Sequence, residues 1–270
     1  MSDAIPVTPL SIWDPVHLGT DELGRRVQVT LAERNMLIGG EPGGGKSVAL
    51  QLIVAHGALS ADCRLILIDG KRVELGLWRD CAEKFIGPSV DDAIDTMRWL
   101  QAQIDQRTEE LLARQLRKIT PGLGWPVYLV PIDEVAYFSA TVGTPAQQKE
   151  FNACNRDIVA RGRAPGIICV EATQRPSADI IPTSLRDLFG YRWAFRCTTD
   201  SSSDVVLGHG WAREGYDAST IDPLARGVSF LLSESGIPRK IKAAYLTDDE
   251  IRYLAAYAAR LRGTNKDDAA

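Results

Sequence analysis

Eight residues, Gly40–Ser47 (GEPGGGKS), match the pattern G-x-x-x-x-G-K-[ST]. Glycines in such a run allow positive φ, so several N–H groups can turn towards one point and bind phosphate oxygens. A helix that begins at the end of the run adds partial positive charge there. The alternative is a glycine-rich surface turn. The pattern predicts a nucleotide-phosphate site in which the lysine reaches the β- and γ-phosphates and the serine binds Mg²⁺. Its candidate residues are Gly40, Gly43, Gly44, Gly45, Lys46, Ser47 and Val48.

A second chemical signal is the pair of carboxylates at the end of the apolar run Val127–Asp133. A strand that ends beside the phosphate loop predicts that Asp133 holds Mg²⁺. Glu134 would then lie where it can orient or deprotonate a water molecule, which indicates hydrolysis rather than binding alone. The alternative is an acidic strand end that caps a following helix.

A polar side chain also follows the next predicted strand, residues 166–173. Gln174 comes directly after this run and before Arg175 and Pro176. At the tip of a strand it could contact the γ-phosphate or the attacking water and transmit the state of the nucleotide. The alternative is ordinary loop chemistry before a proline.

The elements that must position these residues are short apolar runs that alternate with helical patterns. Continuous apolar runs at 36–39, 64–69, 127–133 and 166–173 predict strands buried on both faces, and the chain between them predicts crossover helices. This is an α/β fold with a mostly parallel central sheet flanked by helices, whose strand ends converge at one edge.

Other patterns complete the prediction. Residues 16–28 predict a short N-terminal β-hairpin, residues 91–119 a long helix, and residues 247–261 a closing helix capped by Thr247. We divide the chain into a lead-in and hairpin (1–26), a nucleotide-binding domain (27–247), and a C-terminal helix with a polar tail (248–270).

Composition excludes several classes of protein. The 270 residues are 45% hydrophobic with a net charge of −4, which argues against disorder and against a uniformly basic nucleic-acid-binding surface. Five cysteines without a C-x-x-C pair predict buried, reduced thiols rather than a metal site or disulfide framework. The sequence shows no signal peptide and no apolar run of spanning length, which predicts a cytoplasmic protein recruited to a membrane only through a partner.

Taken together, the motifs resemble the FtsK/SpoIIIE family of DNA-pumping motors. The resemblance covers about residues 27–246 and includes the segments GEPGGGKS (40–47), LILIDGKRVEL (65–75), VYLVPIDEVA (127–136), RGRAPGIICVEATQRPS (161–177) and YRWAFR (191–196). Residues 210–247 are similar to compact FtsK-like transfer proteins of actinobacterial plasmids and integrative elements. Two departures are Gly70, where the family commonly has proline, and the stretch Asp200–Asp204, which lacks the basic residues often found there.

The resemblance implies a RecA-like P-loop NTPase that hydrolyses ATP with Mg²⁺ and works as a ring, usually of six subunits, around double-stranded DNA. ATP would lie between neighbouring subunits, with Lys46, Ser47, Asp133, Glu134 and Gln174 on one side. An arginine of the adjacent subunit would complete the site. Arg163 and Arg192 are the candidates, with Arg161 and Arg186 in reserve, and the alternative for each is an ion pair or a solvated charge.

Several matters stay open in the sequence. Arg114, Arg117 and Lys118 before Pro121 form the best candidate for a DNA-contacting loop, although solvated cations at a helix end would give the same pattern. Transfer of conjugative or mobile-element DNA, chromosome or phage DNA movement, and a membrane-anchored partner are compatible settings. A polypeptide-exporting ATPase of the same superfamily and a non-hydrolysing ATP-binding adaptor are the alternatives.

Overall fold

The apolar runs of the sequence become the strands of one β-sheet. The computed structural model describes residues 10–233 and 236–263. Within these residues the strands are β1 (Val16–Asp21), β2 (Arg26–Val29), β3 (Met36–Gly39), β4 (Cys63–Asp69), β5 (Lys84–Ile86), β6 (Val127–Asp133), β7 (Ile167–Thr173), β8 (Tyr191–Phe195), β9 (Val228–Ser233) and β10 (Arg239–Ala243). They lie side by side in the order β2-β1-β10-β9-β8-β3-β7-β6-β4-β5.

Six neighbouring strands, from β8 to β5, run parallel. Because parallel strands run in the same direction, all six end at the same edge of the sheet, here called the carboxyl edge. There Asp69 at the end of β4 lies opposite Asp133 at the end of β6, and Gly39 lies opposite Thr173. The mostly parallel, helix-flanked sheet is therefore confirmed, and the strand ends that precede the phosphate loop, Glu134 and Gln174 share one edge of it.

The other four strands continue the sheet in antiparallel pairing: β9 with β8, β10 with β9, β1 with β10 and β2 with β1. The predicted N-terminal hairpin is confirmed as β1 and β2. Leu18 and Val27 of this hairpin pack in the same core cluster as Phe195 of β8. The division at residues 26 and 247 stays a prediction; residues 1–9 of the lead-in and 264–270 of the tail lie outside the described residues.

Helices cover both faces of the sheet. They are α1 (Lys46–Leu59), α2 (Val90–Ala113), α3 (Pro145–Arg161), α4 (Thr183–Arg186), α5 (Asp200–Leu207) and α6 (Asp248–Leu261). Apolar residues of α1 and α6 pack in one core cluster, and those of α3 and α5 with most of α2 pack in the other. The predicted cap of α6 is confirmed, since the Thr247 hydroxyl accepts the Glu250 N–H and the Glu250 carboxylate accepts the Thr247 N–H. Within residues 10–233 and 236–263, none of the helices combines the length and apolarity that a bilayer crossing requires.

The long helix ends earlier than predicted. α2 stops at Ala113 rather than at residue 119, so Arg117 and Lys118 belong to a loop. Gln115 adopts a left-handed conformation (φ 55°), and the Leu116 N–H returns to the Leu111 carbonyl at 2.8 Å. The helix therefore ends at a left-handed residue. This kind of helix end usually has glycine at that position, so the glutamine did not indicate it in the sequence.

All five cysteines are buried and free, as predicted.

A less expected buried group is Glu171 of β7, which is 0% exposed. Burial, partly offset by the Asn155 side chain, raises the pKa of Glu171 to about 7. The folded state therefore holds this proton more tightly than the unfolded chain, and Glu171 lowers the free energy of unfolding as pH rises from about 4.5 to about 7.

We expect Glu171→Gln to raise the free energy of unfolding by about 2 kcal/mol at pH 8, because the variant removes a buried charge, and to change it little at pH 4.5. Urea denaturation at both pH values measures this. Glu109→Gln, at an exposed position of α2, is the matched control. An equal effect of Glu171→Gln at both pH values would contradict the expectation.

Candidate nucleotide-binding site

The loop Gly40–Ser47 connects β3 to α1 at the carboxyl edge, which is the strand–loop–helix context that the motif requires. Gly40, Gly43 and Gly45 have φ values of 150°, 77° and 117°. A Cβ on Gly45 would lie 3.0 Å from the Phe195 ring and from the Gly227 Cα, so the loop is also too closely packed for a larger residue there. The loop thus has the positive-φ glycines of a phosphate-binding turn, placed at a helix N-terminus.

Lys46 is the first residue of α1 and is only 6% exposed. Its Nζ donates a hydrogen bond to the Glu41 carbonyl of the same loop at 2.8 Å. Burial lowers the pKa of Lys46 to about 8, an effect that Glu134 and Asp133 partly oppose. The ammonium is therefore held inside the loop, close to two carboxylates that help to keep it charged. Ser47 and Val48, which follow it, are partly exposed.

Asp133 ends β6 and is 7% exposed. Its Oδ2 has no hydrogen-bond partner among the described residues. Burial, together with the nearby Asp69 and Glu74, raises the pKa of Asp133 to about 7. A buried carboxylate oxygen without a partner is costly, and a hard divalent cation would supply the missing contact. The donor set of Asp133 and Ser47 therefore fits Mg²⁺.

Glu134 is held against the tip of β7. Its Oε1 accepts a hydrogen bond from the Thr173 hydroxyl, and its Oε2 accepts one from the Gln174 N–H, both at 2.9 Å. Its backbone is left-handed (φ 55°), which is uncommon for a residue other than glycine and turns the chain sharply after β6. The glutamate carboxylate is thereby fixed at the carboxyl edge beside Asp133.

Other polar residues at this edge have structural roles that the sequence did not reveal. Asp69 accepts the backbone N–H groups of Lys71, Arg72 and Leu75, so it shapes the loop after β4. Thr173, as the partner of Glu134, was also missed. The signal that could have indicated it is a hydroxyl residue immediately before the glutamine at a strand tip.

The two candidate arginines lie away from the carboxyl edge. Arg163 precedes β7, is exposed, and donates from Nε to the Glu33 carbonyl at 2.6 Å. Arg192 is the second residue of β8, lies 3.8 Å from Asp187 and is 22% exposed. Arg163 lies about one strand length, roughly 20 Å, from its own phosphate loop. The arrangement brings Lys46, Ser47, Asp133, Glu134 and Gln174 together and leaves Arg163 outside.

Comparison with known proteins agrees with these motifs. A model of the FtsK/SpoIIIE family matches residues 14–127. The DNA translocase FtsK of Pseudomonas aeruginosa is 27% identical over 288 residues, covering 92% of this chain and 34% of that protein. FtsK of Treponema pallidum is 28% identical over 262 residues, covering 90% of this chain and 31% of that protein. The chain thus spans about a third of the length of these relatives.

Solved structures show the same fold. The pCW3 conjugation coupling protein TcpA superimposes with a TM-score of 0.78 at 22% identity, covering 95% of this chain and 75% of that one. The cytoplasmic domain of the Thermomonospora curvata type VII secretion ATPase EccC gives 0.71 at 20% identity, covering 94% of this chain and 32% of that one. EssC of Geobacillus thermodenitrificans gives 0.76 at 14% identity, covering 96% of this chain and 53% of that one.

The motifs, the family model and the shared fold agree with one another. The chain is similar to the FtsK/SpoIIIE family, as its sequence predicted, and it shares its fold with TcpA, EccC and EssC.

Proposed function

We propose that the chain is an ATP-driven translocase for double-stranded DNA that works as a ring of identical subunits, six by the family resemblance. The ATP-driven part is supported by one observation: the phosphate loop, Asp133 and Glu134 meet at one edge of the sheet, and in the part of the chain that the structure describes Asp133 Oδ2 has no partner. The DNA part is supported by the FtsK relatives and by a cluster of basic loops described below.

The proposed hydrolysis uses the carboxyl edge as follows. The backbone N–H groups of the loop and the ammonium of Lys46 bind the triphosphate, and Ser47 and Asp133 would hold Mg²⁺. The bound Mg²⁺ would neutralise phosphate charge. Glu134, fixed between Thr173 and Gln174, orients the attacking water and accepts its proton. Gln174 contacts the γ-phosphate or that water through its side chain.

Phosphoryl transfer also needs a cation that stabilises the negative charge developing on the transferred phosphoryl group. Arg163 lies on the edge of the sheet opposite to the phosphate loop, so it can serve only the site of a neighbouring subunit. Its exposed side chain suits that role, and Arg192, half-buried against Asp187, is the second candidate. This geometry supports an ATP site completed at the junction between subunits.

Basic residues gather at the edge opposite to the nucleotide. The Lys118 ammonium pairs with the Glu33 carboxylate at 2.9 Å, and Arg163 donates to the Glu33 carbonyl. Arg114 stacks over Trp125, with its guanidinium carbon 5.2 Å from the ring centroid, and Arg117 is exposed beside it. We call Arg114, Arg117, Lys118 and Arg163 the basic edge, and we propose that its loop 114–118 contacts DNA phosphates.

We expect the double variant Arg114→Gln/Arg117→Gln to weaken duplex binding about tenfold at moderate salt. It should also reduce the slope of log affinity against log salt by about 2, because two phosphate contacts are lost. A salt series of duplex-binding titrations measures both quantities, and Lys149→Gln, at an exposed position of α3, is the charge-matched control. An unchanged salt slope would exclude this loop from the DNA-contacting surface.

The Thr173 hydroxyl gives a further prediction. Because it donates to Glu134 Oε1, Thr173→Val leaves the glutamate with one of its two contacts, and we expect turnover at saturating ATP to fall about tenfold. Thr173→Ser should retain most of the turnover, and the Kd for ATP should be unchanged in both variants. Full turnover in Thr173→Val would show that Glu134 needs no such support.

Stimulation of ATP hydrolysis distinguishes the proposed function from its alternatives. A DNA translocase is stimulated by long duplex, a polypeptide-exporting ATPase by substrate peptide, and an adaptor shows no turnover with either. The structural similarity to EccC and EssC makes the peptide arm of the test necessary. Conjugative transfer as the setting, and a partner in a membrane or transfer apparatus, stay predictions.

A further inference from the structure

The second residue of the phosphate loop, Glu41, joins the loop to the tip of β8. Its carboxylate forms an ion pair with the guanidinium of Arg196 and accepts a hydrogen bond from the Thr198 hydroxyl at 3.1 Å. Its N–H donates to the Arg196 carbonyl at 2.8 Å. Its own carbonyl accepts the Lys46 Nζ, also at 2.8 Å. One acidic residue thus contacts both the loop lysine and the neighbouring strand end.

The contact is close and partly shielded from solvent. The side chains of Arg196 and Glu41 are 29% and 18% exposed. The backbones are also packed together, since a Cβ on Gly40 would lie 3.0 Å from the Arg196 carbonyl oxygen. Shielding strengthens the attraction between the two charges relative to a fully solvated pair, and it makes either charge costly when it stands alone.

A carboxylate in a loop that binds a triphosphate is electrostatically adverse. At a separation of about 8 Å and an effective dielectric constant of about 20, the repulsion between a single negative charge on each partner corresponds to at least a tenfold loss of affinity. The Arg196 guanidinium cancels this repulsion because it is paired directly with Glu41. The sequence motif leaves this position unspecified, so the need for such a partner arises from the glutamate of this chain.

We propose that Arg196 is a positioning residue of the nucleotide site, which neutralises Glu41 and so removes the repulsion between this carboxylate and a bound triphosphate. It acts through Glu41 and does not touch the nucleotide. The proposal rests on the part of the proposed function that concerns nucleotide binding and is independent of DNA translocation.

The test is a set of charge variants whose Kd for ATPγS is measured by calorimetry with Mg²⁺ present. Arg196→Gln leaves Glu41 as a lone negative charge, so the Kd should rise about tenfold. Glu41→Gln removes the repulsion and should bind within about threefold of the unmodified protein, as should the double variant Glu41→Gln/Arg196→Gln. Arg196→Lys keeps the charge and should restore most of the affinity. Arg252→Gln, at an exposed position of α6, is the control for loss of an arginine.

A kinetic measurement separates positioning from catalysis. In Arg196→Gln the KM for ATP should rise about tenfold while kcat stays within about twofold, because the ion pair acts on binding rather than on the transition state. Thermal unfolding checks that each variant is folded. Where Arg196→Gln alone does not fold, the comparison of Glu41→Gln with the double variant decides, and a difference above about tenfold would overturn the proposal.

Three other results would also overturn it. If Glu41→Gln and Arg196→Gln weakened ATPγS binding equally, the contact would hold the loop in shape and charge neutralisation would play no part. A double variant as weak as Arg196→Gln would show that Arg196 contacts the phosphates itself. Unchanged affinity in Arg196→Gln would show that the pair is irrelevant to binding. If the expected order holds but duplex does not stimulate turnover, the DNA-translocase function fails while the positioning role of Arg196 stands.

Discussion

Lys46→Ala should weaken the binding of ATP by about 100-fold and abolish measurable turnover. The ammonium is buried inside the phosphate loop, where it already donates to the Glu41 carbonyl and can turn towards a bound phosphate. A charge-assisted hydrogen bond in a shielded site contributes about 1.5–3 kcal/mol, and the lysine offers more than one such bond to a triphosphate. Alanine supplies neither the charge nor the donors.

Titration of a fluorescent ATP analogue measures this effect directly. Lys149→Ala removes an exposed lysine of α3 and serves as the matched control, with binding expected to be unchanged. Binding by Lys46→Ala within threefold of the unmodified protein would show that Gly40–Ser47 is a glycine-rich turn without a role in nucleotide binding.

Glu134→Gln should bind ATP normally and reduce turnover by about 10³-fold. Glutamine has almost the same shape and its carbonyl oxygen can accept the Thr173 hydroxyl, so the local structure is retained. It lacks the basicity needed to take a proton from water, and general-base catalysis contributes about 10²- to 10⁴-fold to rates. The loss should therefore appear in kcat and leave the Kd for ATP unchanged.

Single-turnover hydrolysis at saturating ATP checks the second prediction, with Glu109→Gln of α2 as the control for loss of an exposed carboxylate. Normal hydrolysis by Glu134→Gln would make the assignment of the general base wrong. The two variants together separate binding from chemistry, since Lys46→Ala should lose the first and Glu134→Gln only the second.

The parts of the site that could be predicted from sequence are those whose residues are neighbours in the chain. The loop Gly40–Ser47 is flanked by its own strand and helix, so local patterns sufficed to place Lys46 and Ser47 at a helix N-terminus. Asp133 could be placed because an apolar run of strand length ends on it. In both cases the chemistry and the element that positions it lie within about ten residues.

The parts that could not be predicted depend on which strands become neighbours. Thr173 reaches Glu134, and Arg196 reaches Glu41, only because β7 and β8 lie beside β6 and β3 in the sheet. These pairs are separated by 39 and 155 positions in the chain, and no local pattern connects them.

Short elements were not predicted because they too depend on contacts with distant residues. The 3₁₀ turn Gly76–Cys81 is held by the Trp78 indole, which donates to Gln51 of α1 at 2.6 Å.

The dependence of ATP hydrolysis on duplex length tests the central claim most directly. The rate should be measured at fixed salt and fixed total base pairs, so that the number of binding sites stays constant while the length of each track changes. A motor that moves along DNA should hydrolyse ATP faster as the duplex lengthens and then reach a plateau, because each encounter lasts longer before the end is reached. A rate that duplex DNA does not raise, or that is the same at every length, would contradict translocation by this chain.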